Sequence, residues 1–230
     1  MNLAKNMRNR RDRDDRAEPF SIEAWTPKTR MGEMVKNKEI TSIEDIFKMG
    51  KPIKEVEIID ALLPNIKDSV LEIASVQRMT KNNRKAKYRV TVVVGDGNGH
   101  VGVGTGKDVE VRPAITSAIK DAKMNIIPVS CSCGSWECNC KTNHSLPMKA
   151  VGRCGSAYVI LKPAPRGIGV VANKIIKQVV ALAGIKDVWS FTRGRTRNIY
   201  NTAMATYKAL ESINKISNHD ALKTENEAAA

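Results

Sequence analysis

Five soft metal ligands fall within fourteen residues of this sequence: Cys131, Cys133, Cys138, Cys140 and His144. Tetrahedral zinc takes four thiolate or imidazole ligands, normally as two close pairs across a turn. Here the pairs are Cys-x-Cys rather than the commoner Cys-x-x-Cys, and the plainer reading is a linker carrying reduced thiols. Four of the five cysteines stand within ten positions, which is not the spread of a secreted disulfide framework. The spacing predicts a structural zinc held by Cys133, Cys138, Cys140 and His144, with Cys131 as the alternate fourth ligand. Four protein ligands leave no open position, so a catalytic zinc is not expected. Cys154 stands alone and is read as a small buried hydrophobe. His100 and His219 are read as having no carboxylate or thiol companion, and carry no assigned role.

The second chemistry is positive charge. Lys plus Arg number 38 against 24 Asp plus Glu, a formal net charge of +14. Arg78, Lys81, Arg84, Lys85, Lys87 and Arg89 follow one another with no acid between them, more than solubility requires. They are read as a basic loop between two strands, projecting from a sheet to reach phosphates or an RNA groove. Two further segments, Pro165-Arg166-Gly167 and Arg193-Gly194-Arg195-Thr196-Arg197, are read as loops where a strand hands over to a helix. Helix N-termini offer free N–H groups, and glycine lets the backbone approach an anion closely. If the two preceding strands are parallel, both loops emerge at one edge and form a single anion-binding surface.

Gly102-Val103-Gly104-Thr105-Gly106-Lys107 has the look of a phosphate cradle. A dinucleotide site needs its third glycine three residues after the second, where this chain has Lys107, and no Walker-type loop is present. The plainer reading is a strand end relieved by glycine, whose N–H groups and Lys107 can still meet RNA phosphate. A phosphotransferase would also need an acidic magnesium ligand. Asp187 and Glu211 are the only acids near the second pair of basic loops, and neither is read as lying in a loop. Binding rather than catalysis is expected, with no small-molecule substrate.

The elements that must position these groups follow from hydrophobic period and turn chemistry. Ser42-Ile43-Glu44-Asp45 resembles a capping box before a short helix, and a second helix is expected from about 54 to 63, stopped by Pro64. Alternation predicts strands over 70–77, 88–94 and 100–104, the last two joined by the turn Asp96-Gly97-Asn98-Gly99. From Pro113 the apolar spacing changes to one helical face: Ala114, Ile115, Ala118, Ile119 and Ala122. The second half reads β-α-β-α: a strand at 158–161, a helix closed by Gly184, a strand at 188–192 and a last helix. The fold class expected is α+β, a three-stranded sheet with helices followed by a small α/β domain.

Hydrophobic residues make up 42% of the chain, enough for a packed core, and aromatics only 4%, so that core is aliphatic. No run of eighteen apolar residues exists to span a membrane. The charged N-terminus lacks the apolar stretch of a signal peptide and carries acids that transit peptides avoid, so an intracellular protein is expected. The expected organisation is a basic, partly disordered arm over 1–40, a helical segment over 41–65 and a domain over 66–129. A cysteine-rich linker over 130–148, a second domain over 149–216 and a flexible tail over 217–230 follow.

The stretch from Val92 through Gly95-Asp96-Gly97-Asn98-Gly99-His100 to Gly106-Lys107 resembles the signature of the family of small-subunit ribosomal protein number five. Pro113-Ala114-Ile115, Gly155-Ser156, Lys162-Pro163-Ala164-Pro165-Arg166-Gly167 and Ala183-Gly184-Ile185 follow in family order. The resemblance covers about Ile66 to Ile213, and the Gly134-Ser135-Trp136-Glu137-Cys138 insert looks archaeal. It implies that 66–129 is similar to a double-stranded-RNA-binding module. It also implies a cytoplasmic protein of the small ribosomal subunit that binds rRNA near the decoding region and the mRNA entrance. Contacts with small-subunit proteins four and eight, and an influence on translational accuracy, are implied as well. Archaeal members usually share Cys133, Cys138 and Cys140 but not Cys131, which supports the ligand set above. Composition alone would equally suit an RNA-binding factor acting off the ribosome; the resemblance separates the two.

Overall fold

A computed structural model describes residues 25–140 and 142–228. The charged stretch 1–18, expected to be disordered, lies outside the described residues. Three short helices come first: α1 (Arg30–Lys36), α2 (Ile43–Lys48) and α3 (Val56–Leu62). The capping box at α2 forms as expected, with Asp45 in the usual Glu position. Ser42 Oγ accepts from the Asp45 N–H at 3.4 Å and donates to the Asp45 carboxylate at 2.6 Å. Residues 25–40, read from sequence as part of the arm, carry α1 and bury Trp25, Val35 and Ile40 against Ile46, Ile58 and Ile59. Their apolar residues are thinly spread among charges, so the segment gains order only by packing on α3, which no local pattern reveals.

The first sheet holds β1 (Lys67–Met79), β2 (Arg84–Gly95), β3 (His100–Asp108) and β4 (Ile126–Pro128) in that spatial order, all antiparallel. Three strands were expected; the fourth is three residues long and follows α4 (Val111–Met124) almost directly, too short to show a period. α4 lies across the face that carries Gly102, Gly104 and Gly106. A Cβ on Gly104 would stand 2.2 Å from the Ala122 nitrogen, and one on Gly106 2.2 Å from the Ala114 oxygen. The helix answers with Ala114, Ala118 and Ala122, all fully buried with Val90, Val92 and Val94. The glycine run is therefore a helix-packing surface within a strand that continues to Asp108, neither a phosphate cradle nor the strand end entering a loop that its plainer reading expected.

The second sheet has the order β5-β6-β8-β7, built from β5 (Ala150–Cys154), β6 (Ala157–Pro163), β7 (Val170–Val171) and β8 (Val188–Arg193). β7 is parallel to β8, and the other pairs are antiparallel. Helices α5 (Lys174–Leu182) and α6 (Ile199–Ala228) complete the domain. The expected β-α-β-α unit thus gains two strands. β5 escaped notice because Gly152 and Arg153 interrupt its apolar pattern, and β7 is only two residues long. Gly152 is needed: a Cβ there would lie 2.0 Å from the Ala205 oxygen of α6. α6 also runs through most of the stretch expected to be a flexible tail, where Ala, Leu, Lys and Glu are good helix formers and no glycine or proline intervenes.

The two domains share one core. Val93, Val101 and Val103 of the first sheet pack with Leu146, Val159, Leu161, Ile176 and Leu210 of the second domain. Each such side chain contributes roughly 1.5–3 kcal/mol on leaving water. A second tie uses backbone alone. α5 ends in a Schellman turn, with Gly184 N–H on the Ala181 carbonyl and Ile185 N–H on that of Val180. Its remaining carbonyls, Leu182 and Ala183, accept from Gly97 N–H at 2.9 Å and Gly99 N–H at 3.1 Å. The tight β2–β3 turn of one domain thereby caps a helix of the other.

Candidate nucleic-acid interface and metal centre

The basic segment 78–89 is a β-ribbon rather than a loop. β1 and β2 stay paired to Met79↔Arg84, leaving only residues 80–83 to connect them. The tip is fixed by the Thr80 N–H on the Asn83 carbonyl at 2.9 Å and the Arg84 N–H on Asn83 Oδ1 at 2.8 Å. Charged residues are poor strand formers on average, which is why the run reads as a loop; here both strands are solvated near the tip and lose little by carrying them.

Pairing decides which cations act together. The register Arg78↔Lys85, Val76↔Lys87 and Arg89↔Lys107 sets these side chains on one face, opposite α4. Arg84 falls on the other face, and Lys81 stands at the tip. Val76, Arg78, Lys85, Lys87 and Lys107 line an open groove of about 340 Å³, with no acid among them. Beside it the Nε of Arg89 is buried and has no hydrogen-bond partner. The Arg89 guanidinium thus adds a further positive charge beside the groove.

The basic loops of the second domain do not merge. β6 and β8 are antiparallel, with Pro163 opposite Val188 and Tyr158 opposite Arg193, so the loops following them emerge at opposite ends, five rungs or about 17 Å apart. Arg166 is thus separate from Arg193, Arg195 and Arg197, and the single surface expected from parallel strands does not form. Nor does the Arg166 loop run straight into a helix, because β7 intervenes. The Arg193 loop does lead to the start of α6. The same row of the sheet adds a residue the sequence reading passed over. Arg153 pairs with Tyr158, which pairs with Arg193, and the Arg153 guanidinium lies 4.8 Å above the Tyr158 ring. Nothing marked Arg153 before β5 was recognised.

The cysteine segment closes on itself. Ser132 and Ser145 exchange two backbone hydrogen bonds of 2.9 Å, which pin both ends of the excursion. Within it the Sγ atoms of Cys133, Cys138 and Cys140 and a ring nitrogen of His144 all lie within 4.8 Å of one another. Cys133 and Cys140 are 3.5 Å apart, and Cys138 is 3.7 Å from His144 Nε2. A zinc tetrahedron with bonds of about 2.3 Å to sulfur and about 2.0 Å to nitrogen has edges of roughly 3.5–3.8 Å, so donor set and spacing fit that ion. Cys131 is left out: it packs on the main core with its Sγ 3.8 Å from the Val129 carbonyl, and burial pushes its thiol up. The Thr142 hydroxyl, donating to Cys140 Sγ at 3.1 Å, leads the hydrogen bonds that bring that thiol down to about 6. Desolvation, then hydrogen bonds to Cys140 and Cys138, push Cys133 up. Cys154 is half-buried against the core, close to its expected role.

Asp187 and Asp96 gain partners beside these sites that the sequence did not disclose. Asp187 is buried, with Oδ2 2.9 Å from His144 Nδ1, somewhat off the line of an ideal hydrogen bond. Its Oδ1 accepts from the N–H groups of Gly167 at 3.1 Å and Gly169 at 2.8 Å. Asp96 stands 2.7 Å from His100 Nδ1, and Phe47 stacks on the same imidazole at 6.0 Å. His100, read as isolated, therefore has a structural partner four residues before it; the side chain of His219 lies outside the described residues.

Known families agree in order and extent. The family described as "Ribosomal protein S5, N-terminal domain" matches residues 66–130, and "Ribosomal protein S5, C-terminal domain" matches residues 152–223. The chain is 55% identical over 195 residues to the small ribosomal subunit protein uS5 of Methanocaldococcus jannaschii, covering 85% of this chain and 90% of that protein. It is 51% identical to the protein of the same name from Methanoregula boonei, over 84% of this chain and 94% of that one. Against its namesake from Aeropyrum pernix the figure is 51%, over 83% and 88%.

Proposed function

The chain belongs to the ribosomal protein S5 family, and we propose that it grips small-subunit rRNA through the groove on the β1–β2 ribbon and two separate basic sites on its second domain. It is a structural constituent of the small ribosomal subunit and not an enzyme, as the names of its relatives indicate. In that assembly it works in the cytoplasm; no described helix is long and apolar enough to cross a membrane. The observation that carries the RNA reading is the cationic face itself: Arg78, Lys85, Lys87 and Lys107 converge without an acid, beside an unpartnered Arg89 Nε. Phosphate oxygens are the acceptors such an array fits. Arg166 serves one further contact, and Arg193, Arg195 and Arg197 with Arg153 serve another. Lys81 and Arg84, at the tip and on the far face, reach a different stretch of RNA from the groove.

The proposal extends to a finer setting that membership of the family supports: a seat near the decoding region and the mRNA entrance, contacts with small-subunit proteins four and eight, and a contribution to accuracy. Zinc is the proposed occupant of the Cys133, Cys138, Cys140 and His144 cluster, where it would cross-link the excursion between the two domains and do no chemistry. Sedimentation of cell extract through sucrose gradients at moderate and high salt tests the assignment. The protein is expected to stay with the small-subunit peak at both salts. Release at high salt would mean a transient factor, and absence at both would refute the ribosomal role.

A further inference from the structure

Among the described residues, Asp187 is the one buried acid that touches both the cysteine cluster and a basic loop. Its two carboxylate oxygens face different partners. Oδ2 lies 2.9 Å from His144 Nδ1, and Oδ1 accepts the Gly167 and Gly169 N–H groups at 3.1 and 2.8 Å. Gly167 and Gly169 have φ of +94° and +76°, and a Cβ on either would meet nothing, so glycine serves there to turn the backbone N–H groups inward. Together they form a small anion-binding nest, and the anion it holds is the protein's own carboxylate. Those N–H groups are therefore spent on Asp187 and are not offered to RNA phosphate. What the loop presents outward is Arg166, which is exposed.

The other end of the carboxylate meets the cluster. A metal on His144 Nε2 requires the neutral tautomer with its proton on Nδ1, the nitrogen that faces Asp187. With Nε2 unligated, that nitrogen keeps the 3.7 Å approach of Cys138 Sγ, a looser hold on the ring than a metal bond, so the Nδ1 contact to Asp187 is less firmly set. Backbone hydrogen bonds that need no metal hold the two residues side by side, the N–H groups of Lys186 and Asp187 both donating to the His144 carbonyl at 3.0 Å. We propose that Asp187 transmits metal occupancy to the Arg166 loop, so that the RNA contact at this end of the second sheet is organised only when the cysteine–histidine cluster is loaded. The inference rests on the zinc reading given above and adds a consequence that reading does not contain.

The test uses the purified full chain. Zinc content is measured first, and the visible spectrum of the cobalt-exchanged protein checks for a tetrahedral thiolate site. Hydrogen exchange is then followed at the Gly167 and Gly169 amides, before and after stripping with a chelator. Both amides are expected to exchange at least about tenfold faster without metal, while the 193–197 loop at the opposite end of the sheet is unchanged. His144→Cys should keep zinc on four thiolates yet lose Nδ1, leaving the Arg166 loop indifferent to chelation. Asp187→Asn keeps an acceptor for the two glycines but can offer Nδ1 a donor, and is expected to bind zinc about 10–100-fold more weakly. If zinc is present and its removal loosens residues 133–144 but not Gly167 and Gly169, the link through Asp187 is overturned and the zinc reading stands. A loop still sensitive to chelation in His144→Cys overturns the link as well. A protein purified without zinc that gives no thiolate–cobalt band refutes the zinc reading, and the link falls with it.

Discussion

Replacing Arg78, Lys85, Lys87 and Lys107 with Gln tests whether one face of the ribbon carries RNA. All four line the same groove, and the two strand registers set them side by side. Each phosphate contact contributes about 0.9 to the slope of log affinity against log salt on a duplex, so losing four should flatten the slope by about 3.6. Between 50 and 200 mM salt that share alone amounts to roughly a 150-fold change in affinity, large enough to read by filter binding or fluorescence anisotropy on a small-subunit rRNA fragment. The geometry supplies its own control. Arg84 belongs to the same run of six cations but points to the opposite face, so Arg84→Gln should leave binding to the groove's target almost untouched. Charge alone predicts that every cation in the run counts equally; pairing predicts that it does not. An unchanged slope in the fourfold variant refutes the groove as the contact. An Arg84→Gln effect equal to that of Lys85→Gln refutes the argument from register.

Gly104→Val forces a branched side chain to where a Cβ would already stand 2.2 Å from α4 backbone, and should lower unfolding stability in urea by at least about 1–3 kcal/mol. Cys138→Ser should abolish stoichiometric zinc binding while Cys131→Ser leaves it intact; equal loss in both would restore Cys131 as a ligand. Burial, with Glu211 adding to it, pushes Tyr207 up to about 12, and its hydroxyl donates to the Asn125 carbonyl at 3.0 Å. Because the folded state holds that proton more tightly, its contribution to stability is complete below pH 10 and is lost as pH rises towards 12. An ultraviolet titration should therefore find one tyrosine ionising late, and Tyr207→Phe should remove that step; a single transition near pH 10 in both proteins would contradict it.

What was legible in the sequence follows from the range over which each signal acts. The capping box at Ser42, the turn at Asp96–Gly99 and the stop at Gly184 are set by residues within a few positions of one another, and all three stand where expected. The clustering of Cys133, Cys138, Cys140 and His144 was legible for the same reason, because a short excursion cannot carry its side chains far apart. Relations between strands were not. Nothing in the residues around Arg166 and Arg193 states whether β6 and β8 run parallel, and the single surface that a parallel pair would make gives way to two loops at opposite ends of a sheet. Asp187 was illegible because its partners are 43 residues before it in one case and 18 to 20 in the other. The glycines of β3 were visible as a pattern, but their reason, the backbone of α4 lying against them, exists only once the helix is docked.

These corrections change what kind of ligand the protein suits. A single fused patch would suit one compact anion. Three cationic sites, on the ribbon and at the two ends of the second sheet, suit a folded polyanion, provided the domains do not move against each other. Two features oppose such motion. Val93, Val101 and Val103 belong to the core of the second domain, so a hinge between the domains would expose them at a cost of several kcal/mol. The carbonyls that end α5 have as partners the Gly97 and Gly99 N–H groups of the other domain, and separation would leave all four groups unpaired. A Cβ on Gly184 would stand 2.2 Å from the Gly97 oxygen, so even a methyl group there should pry the turn from the helix. Gly184→Ala should then weaken rRNA binding although it removes no charge, and leave the salt slope near wild type. Loss of affinity together with an unaltered slope would separate the spacing of the sites from their charge. A full wild-type affinity in that variant would show that the three sites bind without needing a fixed separation.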